Sequence, residues 1–266
     1  MSYTVWRLRF GLPRATFAVL VALIGVYVLQ IMSSALLGIA IEQALGLSVA
    51  GILEGHIWTF LTYQFLHGGP FHLLLNILMF VFLGAETERA IGTRHFLVLY
   101  FLSGILGGVG WLYLTYPYEG VCVGASAAIF GLLSAFAVLF PHREVSLLIF
   151  FIFPVTLKAW VLAIALGTVQ LLFSISPNVG GVAYSAHLAG AVAGFIYTAV
   201  VFRPDWLDAL KAAWRTRRRE AERRAAERED RRVDALLDKI SREGIQSLTP
   251  EERRFLEEVS RRRTSR

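Results

Sequence analysis

Long apolar runs fill the first three quarters of the chain, and short polar stretches separate them. The runs at 16–40, 72–88, 95–116, 126–141, 158–175 and 186–202 are candidate helices for crossing a bilayer core about 30 Å thick, which takes roughly 20 residues. Residues 145–154 (VSLLIFFIFP) are too short to cross and end at Pro154, so they are expected at the interface. After Arg203-Pro204 the pattern inverts. Residues 206–242 read as one long charged helix, at first with almost no apolar stripe and many Glu–Arg i,i+4 pairs. Val233, Leu236, Leu237 and Ile240 then make a short apolar face, and Gly244 is a plausible stop. In "LTPEE", Thr249 as N-cap, Pro250 at N1 and Glu252 at N3 predict a capping box opening a second helix, 250–261. Its Phe255, Leu256 and Val259 are spaced to pack on the earlier face. The predicted fold is all-α: a six-transmembrane-helix polytopic bundle (16–202) between an N-terminal segment (1–15) and a charged helical tail (203–266).

Composition sharpens this picture. The 266 residues are 56% hydrophobic and only 17% charged, with mean hydropathy +0.57, which excludes an ordinary soluble domain. Thr16 to Phe202 contain ten Asp, Glu, Lys or Arg residues, whereas Arg203 to the end contains 33, of which 19 are basic. One cysteine, Cys122, excludes an intramolecular disulfide framework. The first run lacks a clear small-residue cleavage site and reads as a retained helix. Arg7, Arg9, Arg14, Arg89, Arg94, Arg143 and Lys158 fall in alternate loops, together with the arginine-rich tail. The other loops offer Glu42, Glu54, Glu119, His56 and His67 and no Lys or Arg. The positive-inside rule therefore puts both termini in the cytoplasm. Glu86, Glu88 and Arg89 read as a charge cluster at a helix end, and His56 and His67 as solvated loop residues.

Polar groups inside the bilayer are expensive, which makes each a candidate for function. Four stand out: His72 and Asn76 in "FHLLLN", Ser126 in "GASA" and His187 in "AHLAG". His72 is 17 residues from Arg89, Ser126 17 from Arg143 and His187 16 from Arg203. At about 1.5 Å per residue, all three lie about 24–26 Å above the inner interface, just below the outer surface. His72 and Asn76 share a helix face. Gly190 and Gly194 continue the stripe of His187, and with Ala127 and Gly131 they permit close helix approach. Ser126 alone reads most simply as a packing serine. The coincidence of type, depth and side instead points to a nucleophile (Ser126) and a general base (His187), with Phe130 one turn below Ser126 placed to pack on the imidazole. Asn76, His72 and the Ser126 backbone N–H are the donors available to a tetrahedral oxyanion. No Asp or Glu lies at this depth to orient His187, so a dyad is expected and not a triad.

These motifs resemble the rhomboid family of intramembrane serine proteases, over roughly residues 15–202. "WTFLTYQFLHGGPFHLLLNILMF" carries the H-x-x-x-N positions at His72 and Asn76. "GAETERAIGTRHFLVLYFLSG" is similar to the family's turn into its third helix. "GASAAIFGLL" matches G-x-S at Gly124 and Ser126, and "AHLAGAVAG" matches A-H-x-x-G-x-x-x-G. The resemblance implies a six-helix core, a Ser126–His187 dyad, and oxyanion stabilisation by His72 and Asn76. It also implies cleavage of transmembrane protein substrates at small residues near the outer face, lateral access past about 158–185, and no cofactor or metal. Two departures are the Trp58-Thr59 pair, where the outer loop often has Trp-Arg, and Ala127, where many members have Gly.

The corresponding location is a bacterial cytoplasmic (inner) membrane, with the site opening outward. The partners expected are transmembrane substrates and the lipid bilayer. The tail is similar to a C-terminal module of some bacterial rhomboids. It reads either as a solvated charged segment or as a docking module for a cytoplasmic partner or anionic lipid, with nucleic acid disfavoured. The alternative function is a non-catalytic relative that binds transmembrane clients for quality control. Such relatives usually lack the serine or the histidine. A small-solute transporter would need inverted repeats and midplane charges, and the sequence shows neither.

Overall fold

The computed structural model describes residues 11–116, 120–149, 153–174 and 183–264. Residues 1–10 of the N-terminal segment, Arg7, Arg9 and Glu119, and positions 175–182 of the access region lie outside the described residues. The chain divides into two compact units, Met1–Pro204 and Asp205–Arg266.

The first unit begins with α1 (Arg14–Leu37). A loop follows that holds α2 (Glu42–Leu45), α3 (Val49–Leu53), α4 (Thr59–Thr62) and a 3₁₀ turn (Tyr63–Phe65). Next come α5 (Pro70–Thr115), α6 (Ser126–Leu139), a hairpin of β1 (Glu144–Ile149) and β2 (Phe153–Lys158), α7 (Ala159–Ser174) and α8 (Tyr184–Phe202). Among the described residues, α1, α5 and α8 are long and apolar enough to cross a membrane, and α6 and α7 are shorter apolar helices. The bundle turns large apolar side chains outward, among them Phe17, Leu29, Leu78, Ile164 and Ile196. Polar Thr16, Gln30, Asn76, Gln170 and His187 are buried instead. This is the inverse of a water-soluble surface and fits an integral membrane protein. α6 lies at the centre, burying Ala128, Ile129, Leu132, Leu133, Ala135 and Phe136 in the main apolar cluster.

The runs predicted at 72–88 and 95–116 are two helices, the two arms of α5, which meet at a kink where Gly92 has non-helical backbone (φ 79°, ψ 159°). That left-handed backbone favours glycine and turns the chain without a loop. The predicted charge cluster beside it separates into two. Glu86 pairs with Arg89 (2.9 Å) and with Arg143. Glu88 turns inward and caps α1, whose N-cap residue Pro13 offers no side-chain acceptor. Its carboxylate accepts from Ala15 N–H (3.1 Å), Thr16 N–H (2.7 Å), Thr16 Oγ1 (2.7 Å) and Thr93 Oγ1 (2.8 Å).

The interfacial segment around 145–154 belongs to an antiparallel hairpin, a small departure from an all-α chain. Val145 pairs with Leu157 toward the core, and Ser146 pairs with Thr156 outward, their hydroxyls 2.8 Å apart. Two strands satisfy half of each other's backbone groups in a segment too short to do so as a spanning helix.

In the second unit α9 covers Pro204–Glu243 and α10 covers Pro250–Thr264, each slightly longer than expected from the sequence. Glu252 Oε2 accepts from Thr249 N–H (2.7 Å), and Thr249 Oγ1 accepts from Glu252 N–H (3.2 Å), a reciprocal capping box. Leu236 and Val259 are buried, Leu237 is exposed, and Arg232 lies 4.4 Å over the Phe255 ring.

Candidate active site

The approach to α6 is held by the loop between α1 and α5. Leu47 and Cys122 exchange backbone hydrogen bonds (3.1 and 2.7 Å), and Gly124 N–H donates to Tyr63 O (2.9 Å). Tyr63 OH donates to Gly104 O (2.6 Å), tying that loop to α5. Trp58 Nε1 donates to Ala44 O (3.0 Å) and Thr62 Oγ1 to Leu45 O (2.6 Å), which anchors the loop without an arginine at position 59. Gly124 has φ +127°, and a Cβ there would lie 2.9 Å from the His72 ring. Backbone conformation and space both require glycine. Burial pushes the nearby Cys122 thiol up to about 12, so it is no thiolate.

Ser126 is the first residue of α6, so its N–H makes no intrahelical bond. Its Oγ lies 2.6 Å from His187 Nε2 on α8. The Phe130 ring stacks on the imidazole at 4.7 Å and 10°. The two helices touch through glycine: a Cβ on Gly190 would run into the Ala127 carbonyl, and one on Gly194 into the Gly131 backbone. Gly107 of α5 fits against both, since a Cβ there would lie 2.6 Å from Ala127 Cβ and 2.9 Å from Ala186 O. Gly194→Val is therefore expected to cost about 1–3 kcal/mol by overpacking. The measurement is thermal unfolding in detergent. An unchanged midpoint would show that this contact does not set the helix spacing.

His72 and Asn76 stand on the first turns of α5, on the other side of Gly124. Gly68 N–H points to His72 Nδ1 at 3.4 Å, a long bond. In the neutral ring that leaves the proton on Nε2, the nitrogen nearest Gly124. Asn76 is 6% exposed, and among the described residues its Nδ2 is buried without a hydrogen-bond partner. Such a donor is costly unless something comes to use it.

One expectation changes. His67 is not solvated: it is 1% exposed and packs edge-on against His72 at 5.2 Å. Burial, and then the neighbouring His72, lower its pKa to about 4, which keeps it neutral near pH 7. Its backbone N–H donates to Gln30 Oε1 (3.1 Å), and Gln30 Nε2 donates to its carbonyl (2.8 Å), so α1 grips the loop. The imidazole of His187 also has a neighbour beyond Ser126: Nδ1 lies 2.9 Å from Gln170 Oε1 on α7. Sequence reasoning passed over Gln30, Gln170 and Gly107. The signal for both glutamines was present, since each is a lone amide in an apolar run.

The structure thus brings together one hydroxyl, one imidazole and nearby N–H groups, the kinds of group that hydroxyl-based acyl transfer uses. The Rhomboid domain family matches residues 54–204, and a family of unknown function, DUF6576, matches residues 219–262. The Bacillus subtilis (strain 168) protein YdcA is 36% identical over 152 residues, 55% of this chain and 68% of YdcA. Rhomboid protease GluP of the same organism is 31% identical over 155 residues, 58% of this chain and 28% of GluP. Inactive RHOMBOID-like protein 8 of Arabidopsis thaliana is 38% identical over 96 residues, 36% of this chain and 27% of that protein. The chain thus spans about two thirds of YdcA and less than a third of the other two.

Proposed function

The chain belongs to the rhomboid family, and on that premise we propose that it is an intramembrane serine endopeptidase acting on transmembrane proteins near the outer membrane face. The observation that carries the reading is the 2.6 Å contact between Ser126 Oγ and His187 Nε2 beneath a stacked Phe130. His187 Nε2 takes the hydroxyl proton as Oγ attacks the scissile carbonyl carbon. The oxyanion is held by Asn76 Nδ2, His72 Nε2–H and the Ser126 backbone N–H. The intermediate collapses, His187 returns the proton to the leaving amine, and an acyl-enzyme remains on Ser126. Water activated by the same imidazole hydrolyses it.

In this reading residues 16–202 cross a bacterial inner membrane six times, with 1–15 and 203–266 in the cytoplasm. Arginines in alternate loops support that orientation. The tail contacts anionic lipid or a cytoplasmic partner. The alternative, a non-catalytic client binder, draws support from the relative named inactive. Labelling with a fluorophosphonate probe separates the two. Wild type is expected to react and Ser126→Ala not to react. Equal labelling of both would leave the client binder standing.

A further inference from the structure

α7 turns one polar side chain inward. Gln170 is 6% exposed, whereas Val169, Leu171, Leu172 and Phe173 beside it are exposed. The other residues α7 buries are Ala159 and Leu162, both near its start. An amide facing into an apolar bundle is tolerated only when paired. The partner of Gln170 is the imidazole that contacts Ser126: Oε1 lies 2.9 Å from His187 Nδ1, while Nε2 of the same ring lies 2.6 Å from Ser126 Oγ. An amide oxygen can only accept a hydrogen bond. Facing it, Nδ1 carries the ring proton and Nε2 keeps its lone pair toward the serine. With the opposite tautomer, Nε2–H would point at Oγ and the ring could not take its proton.

We propose that Gln170 is a positioning residue that holds His187 in the Nδ1–H tautomer and, with Phe130, fixes the plane of its ring. The proposal rests on the serine-protease reading and deepens it: the base has a third partner, and that partner is neutral. A neutral acceptor orients the imidazole without the counter-charge that a carboxylate gives to an imidazolium. Among the described residues no carboxylate pairs with this ring, and the titratable group that faces it is His72 of α5, so no carboxylate among them sets the acid limb of the pH–rate profile.

The test uses the full chain in detergent, with fluorophosphonate labelling rates measured against pH. Gln170→Leu is expected to label about 10- to 100-fold more slowly, the cost of one lost buried hydrogen-bond acceptor. Gln170→Glu restores an acceptor, now charged. It is expected to label faster than Gln170→Leu, with the acid limb moved up by about 1–3 pH units. A glutamine whose side chain is not against the ring would leave that limb in place. Gln170→Leu at the wild-type rate overturns the proposal, and so does Gln170→Glu with an unmoved limb. Imidazole ¹⁵N shifts of wild-type His187 test it independently of whether the variants fold: Nδ1–H is expected, and a predominant Nε2–H form overturns it. Failure of the protease reading is distinct, because wild type and Ser126→Ala would then label alike.

Discussion

Replacing His187 with alanine is expected to slow peptide-bond turnover by about 10⁴- to 10⁶-fold, the scale on which serine hydrolases lose rate with their base. Ser126 Oγ lies 2.6 Å from His187 Nε2, and among the described residues no other base is hydrogen-bonded to it. His72 is no substitute, because the long contact from Gly68 N–H occupies its Nδ1 side and Nε2 presents a proton. The imidazole also fills space between Phe130 and Gln170, so its removal opens a hole. His187→Asn, which keeps more of that volume, should lose the same activity with a smaller drop in thermal stability. Turnover of a transmembrane substrate in detergent, followed over days, measures the residue that remains. A rate within tenfold of wild type in either variant would assign the base elsewhere.

Asn76→Ala is expected to lower kcat by about 10- to 1,000-fold with KM little changed. Asn76 Nδ2 is buried and lacks a partner among the described residues, so it gains no hydrogen bond from them in the ground state. It gains an acceptor only when the carbonyl oxygen becomes an oxyanion, an interaction made in the transition state. The same logic gives the sign for stability: alanine removes an unsatisfied buried donor, so thermal unfolding should not occur at a lower temperature. A rise in KM at constant kcat would make Asn76 a substrate-binding residue instead.

How far the sequence leads depends on what each element is measured against. Ser126 and His187 could be placed at one height because a helix rises a fixed distance per residue, counted from the basic residues beyond the far ends of their helices. Azimuth could not be counted that way. "AWVLAIALGTVQLLFS" is apolar all round, so nothing but the lone Gln170 says which side of α7 faces inward. A search for a carboxylate beside His187 overlooks an amide that accepts equally well. Glu88 sits among neighbouring charges in sequence, and its partner, Thr16, is 72 residues away. His67 looked solvated because loop residues usually are, but Gln30 and Tyr27 on α1 enclose it. The hairpin reads as one more apolar run until Val145–Leu157 and Ser146–Thr156 are seen as cross-strand pairs.

The glycine seam between α6 and α8 has a bearing on biogenesis. Ribosomes deliver Ser126 first, and His187 follows 61 residues later. On the protease reading, a nascent chain that ends before His187 lacks its base, so cleavage must wait until α8 has packed against α6.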